Sequence, residues 1–140
     1  MPNVPPSHSG MTERMKTLVE EIHVESDARG CVFEPLSYGE LRGQRNVHVV
    51  LTHPGAVRGN HYHVKGTETL VVCGPAVVRY GDGDEVEETQ VPEGIVKRFV
   101  FPPGVPHAVR FSGIRPGLLV AFQSEVHNPS RPDTVSFPLI

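Results

Sequence analysis

The fold of this chain turns on two stretches. The first is Arg58-Gly59-Asn60-His61-Tyr62-His63 with Glu68 five residues on and Gly74 closing the run; the second is Pro102-Pro103-Gly104-Val105-Pro106-His107. In an extended strand, side chains alternate between faces, so His61 and His63 share one face and Tyr62 takes the other. Glu68 opens an apolar run that can pair with this strand. About forty residues later, a Pro/Gly turn sets up a strand whose first inward residue is His107. With eight histidines in the chain, about 0.4 His-x-His pairs are expected by chance, so the weight falls on the surrounding pattern rather than on the pair.

Around these stretches the sequence reads as short strands. Val47 to Thr52 is a β-branched apolar run. Thr69 to Cys73 and Ala76 to Tyr80 flank Gly74-Pro75. Lys97 to Phe101 stops at Pro102-Pro103-Gly104, His107 to Phe111 stops at Ser112-Gly113, and Leu118 to Phe122 is a further apolar run. Gly81 to Asp84 reads as a turn, and the acidic stretch Asp82 to Glu88 as its solvated part. No long segment carries a 3.6-residue apolar period. Glu13 to Glu21 fits one short helix, and Thr17 to Val24 an N-terminal strand instead. Short strands punctuated by fourteen Gly and fourteen Pro predict an all-β sandwich or closed barrel.

The chain has 140 residues, which suits one domain at 13–140 behind a disordered tail at 1–12. A net charge of -3 supplies no basic field for nucleic acid. No apolar stretch is long enough to span a bilayer, and the Pro/Ser-rich start lacks a signal-peptide pattern, so the expected location is the cytoplasm. Cys31 and Cys73 are expected to be free thiols.

Three imidazoles and a carboxylate, His61, His63, His107 and Glu68, make a donor set for one divalent transition ion (Zn, Ni, Mn, Fe, Co or Cu). Glu68 would offset part of the charge, and each imidazole would bind through a neutral nitrogen. The two stretches resemble the paired motifs of the cupin superfamily, which implies a double-stranded β-helix, or jelly-roll, barrel. The Glu-to-Gly gap is one residue short of the common pattern, and Phe111 stands where the second motif usually has Asn.

Asp27-Ala28-Arg29-Gly30 and Arg58-Gly59-Asn60-His61-Tyr62-His63 are similar to segments of sugar-nucleotide 3,5-epimerases, of deoxysugar keto-isomerases, and of the C-terminal cupin domain of capsular-polysaccharide biosynthesis enzymes. This resemblance implies an epimerase or isomerase acting on a nucleotide-linked keto sugar. In the 3,5-epimerases the base stands at the position of His61. A metal-bound His61 is not free for that role, which leaves His48, on an apolar strand, as the candidate base. Arg58, Arg79 and Arg110 are candidate diphosphate contacts; Arg58 carries the most weight as part of the shared motif, and for Arg79 and Arg110 a solvated strand face is the stronger reading. Asp133, in the loop 128–133, is expected outside the cavity. The alternatives are a metal-dependent oxygenase and a non-catalytic cupin that binds a small molecule or sugar. A homodimer is expected, with Thr17 to Val24 covering a partner's sheet edge.

Overall fold

The computed structural model describes residues 16–140. The expected tail at 1–12 lies outside the described residues, as does the start of the Glu13–Glu21 segment. The described remainder of that segment is strand, β1 (Leu18–Ile22), not helix. There follow β2 (Glu25–Asp27), β3 (Gly30–Val32), a one-turn helix α1 (Tyr38–Leu41), β4 (Asn46–Thr52), β5 (Val57–His63), β6 (Glu68–Cys73), β7 (Ala76–Asp82), β8 (Glu85–Val91), β9 (Val96–Phe101), β10 (His107–Phe111), β11 (Gly117–Gln123) and β12 (Thr134–Ser136). No helix among the described residues is long and apolar enough to cross a membrane.

Two five-stranded antiparallel sheets, ordered β1-β9-β6-β11-β4 and β12-β5-β10-β7-β8, face each other as a cupin jelly roll. Their inner rows supply the main core, in which Val72, Val78, Phe99, Phe101, Val109 and Phe111 are buried. A second cluster, with Leu36, Val71, Val96 and Phe122, lies on the outer face of the first sheet. It explains why β6 reads as a continuous apolar run: both of its faces are covered.

Two expectations are corrected here. Glu85–Val91 is a strand rather than part of a solvated turn. It is a sheet edge, where carboxylates stay in water while the backbone pairs with β7, and Glu88 sits opposite Arg79. Segment 17–24 does not wait for a partner's sheet: β1 pairs antiparallel with β9 of its own chain, Leu18 opposite Val100 and Ile22 opposite Val96.

The most consequential irregularity is in β5. His107 pairs with His61 but Ala108 pairs with Gly59, so Asn60 is an inserted residue, a β-bulge. Gly59 and Asn60 both have positive φ, 92° and 56°, which Gly adopts freely and Asn tolerates. The extra residue changes the parity of the strand. Arg58 and His61, three positions apart, therefore line the same interior cavity. Asn60 itself anchors the end of the chain: its Oδ1 accepts from the Leu139 and Ile140 amides at 2.8 and 3.1 Å.

Glycine is needed at two motif positions for lack of space. A Cβ on Gly59 would sit 2.6 Å from the His107 carbonyl oxygen, and one on Gly74 would overlap that of Pro92 at 1.8 Å. Gly59→Ala should therefore cost about 1–3 kcal/mol in urea unfolding. Gly83→Ala, also at positive φ but with nothing within 4 Å of the new methyl, should cost less. Equal losses at both sites would mean that the approach to His107 does not constrain the fold.

Candidate functional site

The four candidate ligands come from three strands. His61 and His63 lie on β5, Glu68 begins β6 and His107 begins β10. Donor atoms of all four lie within 4.8 Å of one another. Glu68 Oε2 meets His63 Nε2 at 2.5 Å, and Glu68 Oε1 meets His107 Nε2 at 3.1 Å. The His107 ring stacks on Phe101 with centroids 4.2 Å apart, and its Nδ1 donates to the Val105 carbonyl at 3.0 Å. Tyr62 points the other way, against Phe137.

The ring nitrogens are arranged as a cation site needs them. His107 has a carbonyl oxygen at Nδ1 and a carboxylate oxygen at Nε2. A neutral ring that donates from Nδ1 would aim a lone pair at Glu68, so a cation, either a proton or a metal ion, must lie on that side. His61 Nε2 is buried with no hydrogen-bond partner. Such an orphaned acceptor is costly unless something binds it. The donor set, three imidazole nitrogens and one carboxylate, fits a borderline divalent ion.

Electrostatics separates His61, His63 and Glu68 within the cluster. Burial is the main cause that pushes His61 down to about 4, helped by the neighbouring His107 and His63 and opposed by Glu68. His61 is therefore neutral across the physiological range. Burial also pushes His63 down, but its hydrogen bond to Glu68 and the Glu68 charge override this and hold it above its ordinary value. Burial pushes the Glu68 carboxyl up; hydrogen bonds from His107 and His63 outweigh it and keep the group well below the usual carboxylate range.

Two cavities meet at the cluster. One, of about 180 Å³, lies between the sheets and is lined by His61, Glu68 and His107 together with Val50, Leu70 and Leu119. The other, of about 120 Å³, is roofed by the chain after β11, including His127, Arg131 and Asp133. His48, His61 and Gln123 line both. His48 thus lies where the sequence reading wants it, edge-on to His127 with ring centroids 5.6 Å apart.

Arg58 also lines the interior cavity. Its Nε donates to Thr52 Oγ1 at 3.0 Å and its Nη2 to the Leu51 carbonyl at 3.4 Å, so it bridges the seam where β4 and β5 face each other from different sheets. Arg110 does not join it. His107, Val109 and Phe111 face inward on β10, and strict alternation turns Arg110 to the exposed outer face. Arg79 lies on that face too, bound to Glu88 and to the Leu139 carbonyl. Asp27 and Arg29 pair with each other on the exposed β2–β3 hairpin, away from the cluster.

Asp133, expected outside, is instead beside the cluster. It accepts from the Lys65 and Gly66 amides at 3.0 and 2.8 Å, and its Oδ2 is 3.7 Å from His63 Nδ1. Nothing local in the sequence marks this, because the contact depends on the chain doubling back after β11. Gln123 and Asn46 were also missed. Their signal was alternation, of Leu119, Ala121 and Gln123 on β11 and of Asn46, His48 and Val50 on β4, which brings polar side chains to the inner rows.

A family model described as the polysaccharide biosynthesis C-terminal domain matches residues 25–135. No curated protein matches the sequence. Among solved structures, the chain is similar to the capsular polysaccharide assembling protein CapF from Staphylococcus aureus, with 24% identity and a TM-score of 0.62, over 84% of this chain and 34% of that one. It thus spans about a third of CapF. It is similar to ChmJ, a 3'-monoepimerase from Streptomyces bikiniensis solved with dTDP-quinovose, with 20% identity and a TM-score of 0.69, over 86% of this chain and 68% of that one. QdtA, a sugar 3,4-ketoisomerase from Thermoanaerobacterium thermosaccharolyticum solved with TDP, aligns at 15% identity with a TM-score of 0.63, over 86% and 88% of the two chains. At these identities the likeness to solved structures establishes a shared fold, whereas the family match extends along most of the chain. By that match this cupin belongs to the polysaccharide biosynthesis C-terminal domain family.

Proposed function

We propose that the chain, with residues 13–140 as one cupin domain, is a metal-dependent epimerase or isomerase acting on a nucleotide-linked keto sugar. The observation that carries this reading is the cluster of three imidazoles and one carboxylate, with the unpartnered His61 Nε2, opening on a cavity shared with His48 and Arg58. His61, His63, Glu68 and His107 would hold the ion, which supplies Lewis acidity at a substrate carbonyl oxygen. The solved relatives support the substrate class: ChmJ is described with dTDP-quinovose and QdtA with TDP.

The cavity sets how such a substrate sits. At about 180 Å³ it is smaller than the roughly 300–1,000 Å³ of a typical ligand pocket, so it encloses a sugar ring while the nucleotide stays outside the seam. Arg58 stands at that seam, and a guanidinium suits the diphosphate linking the two. His48 is the base. Asn46 Nδ2 lies 3.3 Å from His48 Nε2 and can only donate, so the lone pair of the ring is on Nε2, and it takes the proton from the carbon next to the ketone when the substrate displaces the Asn46 amide. The C–H electron pair moves into the carbonyl, and return of a proton to the opposite face inverts the carbon with no net oxidation.

Incubation of candidate keto sugars in deuterated water, with mass spectrometry of the recovered sugar, tests this. Deuterium should enter at carbons adjacent to the ketone. Uptake should be lost on chelation and fall about 10²–10⁴-fold in His48→Gln. Uptake that survives chelation but not His61→Ala would replace the metal by His61 as base. Metal binding without uptake from any keto sugar would favour the oxygenase or the binding protein.

Proton competition gives a second test. By NMR of the metal-free protein, His61 should titrate near 4 and His63 above 6.5. His61 therefore contributes stability above pH 6.5 that is lost as pH falls toward 4, because the unfolded chain takes up that proton first. His63 contributes below pH 6.5, and its contribution is lost as pH rises through its raised value. Metal must displace the His63 proton, so affinity should fall as pH falls. Affinity that stays flat between about pH 5 and 7.5 would remove the imidazoles as ligands.

The same reading makes the protein a homodimer. Edge strand β4 presents Val47, Val49 and Leu51 at 54%, 69% and 67% exposure, beside a backbone edge that pairs with no strand among the described residues. An apolar sheet edge of this kind is a surface that a second copy covers. Sedimentation at micromolar concentration should give a dimer, and Val49→Glu should shift it toward monomer; a wild-type monomer would reject it.

A further inference from the structure

One polar row crosses the first sheet. Glu68 on β6 lies directly opposite Gln123 on β11, and Gln123 lies directly opposite Asn46 on β4. Gln123 Nε2 donates to Glu68 Oε2 at 3.1 Å. Asn46 Nδ2 donates to Gln123 Oε1 at 3.4 Å and approaches His48 Nε2 at 3.3 Å. The amide has a fixed sense, since only its nitrogen can face a carboxylate and only its oxygen can face the Asn46 donor.

We propose that Gln123 is a positioning residue: it orients the Glu68 carboxylate for a divalent ion and, through Asn46, joins that carboxylate to His48. The inference rests on the metal reading above and adds to it. In the metal-free arrangement Glu68 is held by three side chains, His63, His107 and Gln123. An ion bound by the imidazole Nε2 atoms removes the first two as donors to Glu68. Among the described residues, Gln123 is then the side chain that still donates to the carboxylate and fixes its plane. Partners of this outer kind govern metal affinity because they set the direction and basicity of the ligand. The row also ties the site to the cavity wall, so that a shift of Glu68 is felt at the ring that would carry the proton.

The test uses Co(II), whose visible absorption reports ligand geometry, with the full chain. Gln123→Leu removes the donor at similar size and should weaken Co(II) binding by about 10–100-fold, alter the visible band, and lower the thermal midpoint of the metal-free protein, which also loses a donor to the buried carboxylate, while leaving it folded at the assay temperature. Gln123→Glu keeps size and polarity but sets an acceptor against Glu68, and should also change the band; it serves if the Leu variant folds poorly. Affinity within twofold of wild type and an identical band in the variants would overturn the role of Gln123 alone. Wild-type protein that binds no Co(II), Zn(II) or Ni(II) would overturn the metal reading and this inference together.

Discussion

Glu68 holds a carboxylate where water hardly reaches it, and the fold is arranged around that charge. At 5% exposure an ionised carboxylate would be too costly to keep unless cations or donors replaced its water. Two imidazoles and an amide do so, from β5, β10 and β11. The two sheets must therefore close at a fixed distance and register, since β6 and β11 belong to one sheet and β5 and β10 to the other. Phe101, directly opposite Glu68 on β9, completes the arrangement by stacking on His107.

Much of this was legible in the sequence because it depends on short-range alternation. His61 and His63 share a face at spacing two, Glu68 begins the next strand, and His107 follows a Pro/Gly turn; these are local facts that antiparallel pairing turns into one site. The apolar runs were legible for the same reason, with β4, β6, β7, β9, β10 and β11 within two residues of the expected bounds. Where the expectations failed, alternation was broken by the bulge, was left unapplied, or was overruled by a contact between distant segments. Arg110 was grouped with Arg58, but the bulge in β5 puts Arg58 inside while uninterrupted alternation in β10 keeps Arg110 outside. Asp133 reaches the site because residues 124–133 fold back over it. The strand at Glu85–Val91 was hidden by its carboxylates, which a sheet edge tolerates and a buried strand does not. The helix at Tyr38–Leu41 had a signal that went unread, Ser37 and Glu40 in a reciprocal capping box.

The two sheets divide the work. The β9-β6-β11-β4 side supplies the carboxylate, the amide row and His48, the last on the edge strand β4. The β5-β10 side supplies the three imidazoles and carries the bulge. The open seam lies between β4 and β5, bridged by Arg58. β12 pairs with His61 to His63, so among the described residues the part of β5 nearer Arg58 has no paired strand on that side.

The inserted residue at Asn60 also bears on how this chain can vary by descent. Loss of one codon there would make the strand regular, with His61 still opposite His107, Gly59 opposite Ala108 and Arg58 opposite Val109. Arg58 would then share the inner face with His61 by simple alternation and stay in the cavity. It would also release the last residues of the chain from Asn60. A single deletion would thus cost the anchor of the last residues and keep the cationic neighbour beside the cluster, so relatives with one or with two residues between Arg and His place that Arg on the same face.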